Sequence, residues 1–216
     1  MVFKRRNPRT WLQIIGAGFY PKGGWRRAVE YVGHRLRRLP DPPHKIARGV
    51  AAGVFVCFTP FFGFHFILAA MLAFVMQGNI LAALLATFFG NPLTFPIIAA
   101  VALELGYWML GVRGGVPLPE VFTAFSDAAV ELWRNVTALF TAEVAHWDQL
   151  RVFFRRVFWP YLVGGIVPGT IAGVVAYVLM LPAVAAYQKR RVKKLKERYD
   201  KRRLAMERAN MAAKSD

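Results

Sequence analysis

The chain has 216 residues, 29 Lys+Arg against 12 Asp+Glu for a formal net charge of +17, and a composition that is 56% hydrophobic. So apolar a sequence is not a disordered basic tail, and so basic a sequence is not an ordinary soluble domain. What remains is a nucleic-acid binder with a large core or a membrane protein with basic ends.

The position of the charge separates the two. Residues 1–48 hold 12 Lys/Arg and 2 acids, residues 49–188 hold 5 and 6, and residues 189–216 hold 12 and 4. A nucleic-acid domain needs its basic residues on a folded face, and here the foldable middle has no basic excess. Nucleic acid is therefore not expected as a partner of the middle, and only the tails retain that option. Two basic ends around a neutral apolar middle match the positive-inside rule for a chain with both ends in the cytoplasm. Anionic phospholipid headgroups are then the expected partners of both ends.

Residues 1–45 alternate basic clusters with Trp11, Phe19, Tyr20, Trp25 and Tyr31. The apolar stretch 11–20 is too short for a secretory signal, contains Gln13, and has no small-residue cleavage site after it. Residues 24–39 place Trp25, Val29, Val32 and Leu36 at helical spacing. They form an amphipathic helix in the headgroup layer or a solvated basic arm. Pro40, Pro42 and Pro43 end it.

The membrane core is expected over residues 46–111. Residues 49–76 contain no Asp, Glu, Lys or Arg, a length that can span ~30 Å of hydrocarbon. Thr59-Pro60-Phe61-Phe62-Gly63 interrupts this run. A second run follows Gln77-Gly78-Asn79 and is interrupted at Gly90-Asn91-Pro92, with Pro96 beyond.

Residues 112–156 carry apolar side chains every three or four positions, which predicts one amphipathic helix or two in succession. Their charges balance, as expected for an extracytoplasmic loop. Residues 157–188 read as a C-terminal transmembrane helix, stopped by Lys189-Arg190-Arg191. The basic tail 189–216 is expected to prolong that helix before fraying. It serves as a topology anchor or as a contact for lipid or a partner. Because both ends share one side, the number of crossings is even, so residues 46–111 cross an odd number of times. One re-entrant hairpin plus one crossing fits, and so do three short crossings. The expected fold is therefore all-α: a polytopic membrane protein with Pro/Gly-broken, re-entrant or kinked helices and an amphipathic extracytoplasmic loop.

Breaks inside a bilayer leave backbone N–H and C=O groups that protein or water must satisfy. Two breaks, each with a polar residue before Pro, resemble the discontinuous helices of transporters, whose half-helix N-termini face anions. Pro suits the first turn of such a half-helix. Simple Pro kinks are the alternative. The candidate anion or substrate site comprises Thr59, Pro60, Gly63, His65, Asn79, Asn91, Pro92, Thr94 and Glu104. His65 and Glu104 are ionisable in apolar surroundings, which favours a cavity; Glu104 alternatively lies at the interface beside the aromatic Tyr107-Trp108.

No HExxH, CxxC, GxSxG or P-loop pattern occurs, so no enzyme activity, metal or cofactor is expected. Cys57 stands alone and forms no disulfide within the chain.

The segments Pro43-His-Lys-Ile-Ala-Arg-Gly-Val-Ala-Ala-Gly-Val-Phe, Phe58-Thr-Pro-Phe-Phe-Gly-Phe-His, Gly78-Asn79, Gly90-Asn-Pro-Leu-Thr-Phe-Pro and Leu105-Gly106 resemble the bacterial membrane family called domain of unknown function 2062. The resemblance covers roughly residues 30–185. It implies a small multi-pass protein of the bacterial inner membrane and a hydrogen-bonding role for His65 in place of a proton relay. It also suggests a link to envelope polysaccharide or polyprenyl-phosphate lipid metabolism. The function expected is transporter-like or flippase-like handling of an anionic polyprenyl lipid, phospholipid or solute. The alternative is a non-catalytic scaffold or assembly factor that recruits partners through the basic tails and the amphipathic loop. A homo-oligomer is compatible with either.

Overall fold

A computed structural model describes residues 24–141 and 144–215. The basic, aromatic stretch before Gly24 lies outside the described residues, as do the side chains of Trp25 and Val29. Among the described residues the chain is all-helical, with no strand.

Helix α1 spans Gly24–Arg37. Its Leu36 is buried and Val32 packs beside it, while Arg26, Arg27, Arg35 and Arg38 are exposed. Helix α2, Pro43–Val56, starts with Pro at its first position, where the missing N–H would be unpaired anyway. Helix α3 is His65–Val75. Helix α4, Ile80–Ala86, continues as a 3-10 turn over Thr87–Phe89. Asn79 caps α4, its Oδ1 accepting the Ala82 N–H at 2.6 Å. Helix α5, Phe95–Leu110, ends where Gly111 adopts a left-handed conformation with φ 63°.

The amphipathic region forms two helices, α6 over Leu118–Ala138 and α7 over Asp148–Phe153. The connection is held from α6: Glu131 accepts the N–H groups of Gln149 and Leu150, and Asn135 exchanges hydrogen bonds with the His146 backbone. A π turn, Phe154–Phe158, then leads into α8, Trp159–Ser215, which is 57 residues long. The helical backbone reaches Ser215, so the expected fraying of the basic tail is not seen within the described residues.

Helices α2 and α8 form the spine. They run antiparallel: a Cβ added to Gly165 would meet Phe58 O at 2.0 Å, one on Gly173 would meet Ala51 O at 3.2 Å, and Gln188 Nε2 donates to Asp41 O at 2.9 Å. Small residues spaced by four let backbones approach. Gly49 and Gly53 of α2 take the Asn79 and Ala83 carbonyls of α4, where a Cβ would sit only 2.2 Å from either oxygen. On the start of α8, Pro160 and Gly164 pack against Gly106 and Ala102 of α5. Along α8, α5 thus occupies the first turns and α2 the later ones.

Among the described residues one helical stretch, Asp148–Leu204, is long and apolar enough to cross a membrane; His65–Val75, Ile80–Phe89 and Phe95–Leu110 are shorter apolar helices. Large apolar side chains point outward on several of them: Phe66, Met71 and Phe74 on α3, Ile97 and Trp108 on α5, Ile171 and Val178 on α8.

Candidate functional site

The two breaks meet. Phe58, just after α2, stacks on Phe89 at 6.2 Å between centroids. Cys57 Sγ donates to Gly53 O at 3.2 Å and Thr87 O at 3.4 Å, and Gly90 rests on Cys57, where a Cβ would lie 3.0 Å from the sulfur. A side chain at Gly90 would thus press tightly on Cys57 of the first break.

Each break satisfies its own polar groups. In the first, Thr59 Oγ1 donates to Val56 O at 2.7 Å. His65 Nε2 lies 3.1 Å from Thr59 O, and because a carbonyl only accepts, this contact puts the ring proton on Nε2. In the second, Asn91 Oδ1 accepts from the N–H of Leu93 at 2.9 Å and of Thr94 at 3.2 Å. Thr94 Oγ1 returns the favour, accepting the Asn91 N–H at 3.1 Å and donating to Phe89 O. This reciprocal pair resembles a capping box one turn ahead of α5.

That arrangement corrects one expectation. Neither Pro60 nor Pro92 sits at the first turn of a half-helix: α3 begins at His65 and α5 at Phe95, with Pro96 in its first turn. The Thr59 and Asn91 side chains close turns ahead of the helices, so the prolines fall inside connections. Pro60 is buried, while Gly63 is exposed with φ 86°, a left-handed position natural to glycine.

Two candidates lie elsewhere. Asn79 sits at the opposite end of α2, where its N–H donates to Lys45 O at 2.8 Å and its Nδ2 to Asp41. Glu104 is exposed on α5; Ala102, Leu103, Gly106 and Tyr107 take the inward face instead. The structure thus groups Thr59, Pro60, Gly63, His65, Asn91, Pro92 and Thr94 around the two breaks and leaves Asn79 and Glu104 outside that group.

Sequence reasoning missed the residue that ties the breaks to the rest. Phe62 makes edge-on ring contacts with His65 (5.4 Å), Phe95 of α5 (4.7 Å), Phe125 of α6 (4.6 Å) and Tyr161 of α8 (5.9 Å). The only signal was the doubled Phe in Thr-Pro-Phe-Phe-Gly, which periodicity does not interpret. Beside the second break runs an apolar groove of ≈ 420 Å³, within the range of ligand pockets. Asn91 and Thr94 form one part of its wall, Leu85 and Phe88 the side, and Gly33 and Leu36 of α1 another. No metal-capable group of three side chains occurs among the described residues.

A family model described as an uncharacterized protein conserved in bacteria, domain of unknown function 2062, matches residues 26–193. No curated protein matches the chain, and no solved structure does.

Proposed function

The chain belongs to that bacterial family, and on this premise we propose that it is a multi-pass protein of the inner membrane that handles an anionic lipid, in the manner of a transporter or flippase, beside its paired breaks.

The topology follows from helix lengths and pairing. The 14 residues of α2 and 11 of α3 reach about 21 and 17 Å at 1.5 Å per residue, short of a ~30 Å hydrocarbon core. The end of α3 returns to the start of α2, as the Asn79 N–H to Lys45 O bond supports. This pair reads as a re-entrant hairpin entering from the cytoplasm. Helices α4 and α5, joined at the second break, read as one broken crossing, and α8 as the other. Two crossings leave both basic ends in the cytoplasm and α6–α7 outside. The outward Phe66, Phe74, Ile97, Ile171 and Val178 then face lipid.

The observation that carries the functional reading is the groove beside Asn91 and Thr94. It combines an acyl-compatible apolar wall with a polar end at a break. Helix α1, whose Val32, Gly33 and Leu36 line the groove, also carries the exposed Arg26, Arg27, Arg35 and Arg38, and an anionic headgroup gains from such positive charge. A photo-crosslinker in place of exposed Phe88 tests it. The expected result is a crosslinked anionic polyprenyl lipid or phospholipid, lost in Gly33→Trp. Gly33 lines the groove and a Cβ there meets no atom within 4 Å, so a larger side chain starts into open space. Absence of crosslinked lipid, or its persistence in Gly33→Trp, overturns the reading.

A scaffold role is favoured by one separate observation. Beyond Gln188, α8 continues as an exposed basic helix, with Arg190, Arg191, Lys194 and Arg198 around Tyr187 and Leu195. Loss of function on truncation after Gln188, with the Phe88 crosslink intact, supports that role over lipid handling.

A further inference from the structure

Arg48 stands out among the charged residues of the described chain. It is half-buried on α2, its Nε is buried without a hydrogen-bond partner, and no carboxylate among the described residues pairs with it. A buried N–H that lacks an acceptor is costly, so the Arg48 Nε–H is open to an acceptor supplied from outside the chain, and an anionic one gains from the guanidinium charge. The nearest backbone across from it belongs to the turn after α3. A Cβ on Gly78 would lie 3.0 Å from the Arg48 carbonyl carbon, and Gln77 in the same turn adopts φ 52°. Arg48 therefore lies at the base of the α2–α3 hairpin, one turn from Lys45.

A second apolar groove, ≈ 380 Å³, leads away from Arg48 between α2, α3 and α8. Ala52, Phe55 and Leu72 form its walls, and Val174 and Tyr177 its outer edge. This groove is separate from the one beside Asn91 and Thr94: it lies on the face of α2 that meets α3, and the two share no residue.

We infer that this groove holds one anionic phospholipid of the cytoplasmic leaflet, its phosphate on the Arg48 guanidinium and an acyl chain along Ala52, Phe55 and Leu72. The charge is complementary, and the planar guanidinium matches phosphate with paired N–H donors. The apolar wall begins where a headgroup at the hairpin base would pass into its acyl chain. The inference rests on the membrane topology proposed above and not on lipid handling at the breaks. The site reads as a structural lipid that closes the open side of the re-entrant hairpin.

The test uses the purified full chain in detergent, with phosphatidylglycerol added and retention read by native mass spectrometry. One phosphatidylglycerol is expected to be retained per chain, bound about tenfold less tightly by Arg48→Gln and by Val174→Trp. Val174 is exposed, so its Trp variant blocks the groove without disturbing the core should Arg48→Gln fold poorly. Arg48→Lys, which keeps the charge but not the fork, is expected to fall between. Equal retention of phosphatidylcholine means ordinary boundary lipid and overturns the inference. Displacement by millimolar inorganic phosphate, or unchanged retention in folded variants, overturns it as well. The Phe88 crosslink keeps the two lipid readings apart. A chain that retains phosphatidylglycerol at Arg48 but gives no crosslink loses only the function proposed for the breaks, and the reverse pattern loses only the Arg48 site.

Discussion

Gly53 of α2 lies directly beneath the Ala83 carbonyl of α4: a Cβ on Gly53 would sit 2.2 Å from that oxygen and 2.7 Å from the Ala86 Cβ. Helices α2 and α4 are thus joined backbone to backbone, with no side chain between them to yield. Gly53→Ala is expected to destabilise by about 1–3 kcal/mol, the usual range for overpacking a close contact, and Gly53→Leu by more. Thermal unfolding of the detergent-solubilised protein checks this. An unchanged midpoint for Gly53→Ala means that the helices separate freely, and the close contact then contributes nothing.

Asn91 and Thr94 satisfy one another's backbone. Asn91→Ala removes the acceptor for two N–H groups and is expected to cost about 1–2 kcal/mol, as loss of a helix cap does. Asn91→Asp keeps the acceptor and should stay closer to the parent. If Asn91 instead contacts an anion directly, the order reverses, because Asp repels the anion while Ala does not. Comparing stability and function across the two variants separates a structural asparagine from a ligand-binding one.

Glu104 is exposed on α5, away from both breaks. Glu104→Gln is expected to leave membrane abundance, unfolding midpoint and the Phe88 crosslink unchanged. A lost crosslink at normal abundance would return Glu104 to the site.

The proposed topology predicts opposite accessibility for two exposed positions. Thr141→Cys, in the connection after α6, should react with a membrane-impermeant thiol reagent applied to intact cells from the periplasmic side. Lys201→Cys, on the far part of α8, should react only after permeabilisation. Native Cys57 is buried and stays silent. Labelling of both positions from one side contradicts two crossings.

Glu131 accepts the N–H groups at the start of α7. Glu131→Ala should free the start of α7 and the residues just before it, 144–147, and cost about 1 kcal/mol. Limited proteolysis reads the change as faster cleavage there, with Glu131→Gln intermediate because one of its oxygens still accepts.

The apolar runs and the placement of Pro and Gly by themselves determined the all-helical class and the location of the two breaks, and the resemblance of several short motifs identified the family. These features depend on local physics: a run of apolar residues, a proline without an N–H, a glycine, and a line of Lys and Arg. The same physics announced α6 and α7 through a three-to-four spacing. It could not say which turn residues face a ligand and which close their own turn, because Thr59, Asn91 and Thr94 carry the same donors and acceptors in either role. That was decided by packing. Gly90 fits onto Cys57, Phe58 onto Phe89, and Phe62 reaches four helices, all through contacts between residues far apart in the chain. Packing also moved Asn79 and Glu104 out of the site. Helical phase turned Ala102, Leu103 and Gly106 toward α8 and left Glu104 on the outer face, and the return of α3 to the start of α2 carried Asn79 to the opposite end. Arg48 could not be singled out from the other basic residues of the N-terminal region, since an unpartnered Nε–H is a property of its surroundings and not of its spacing.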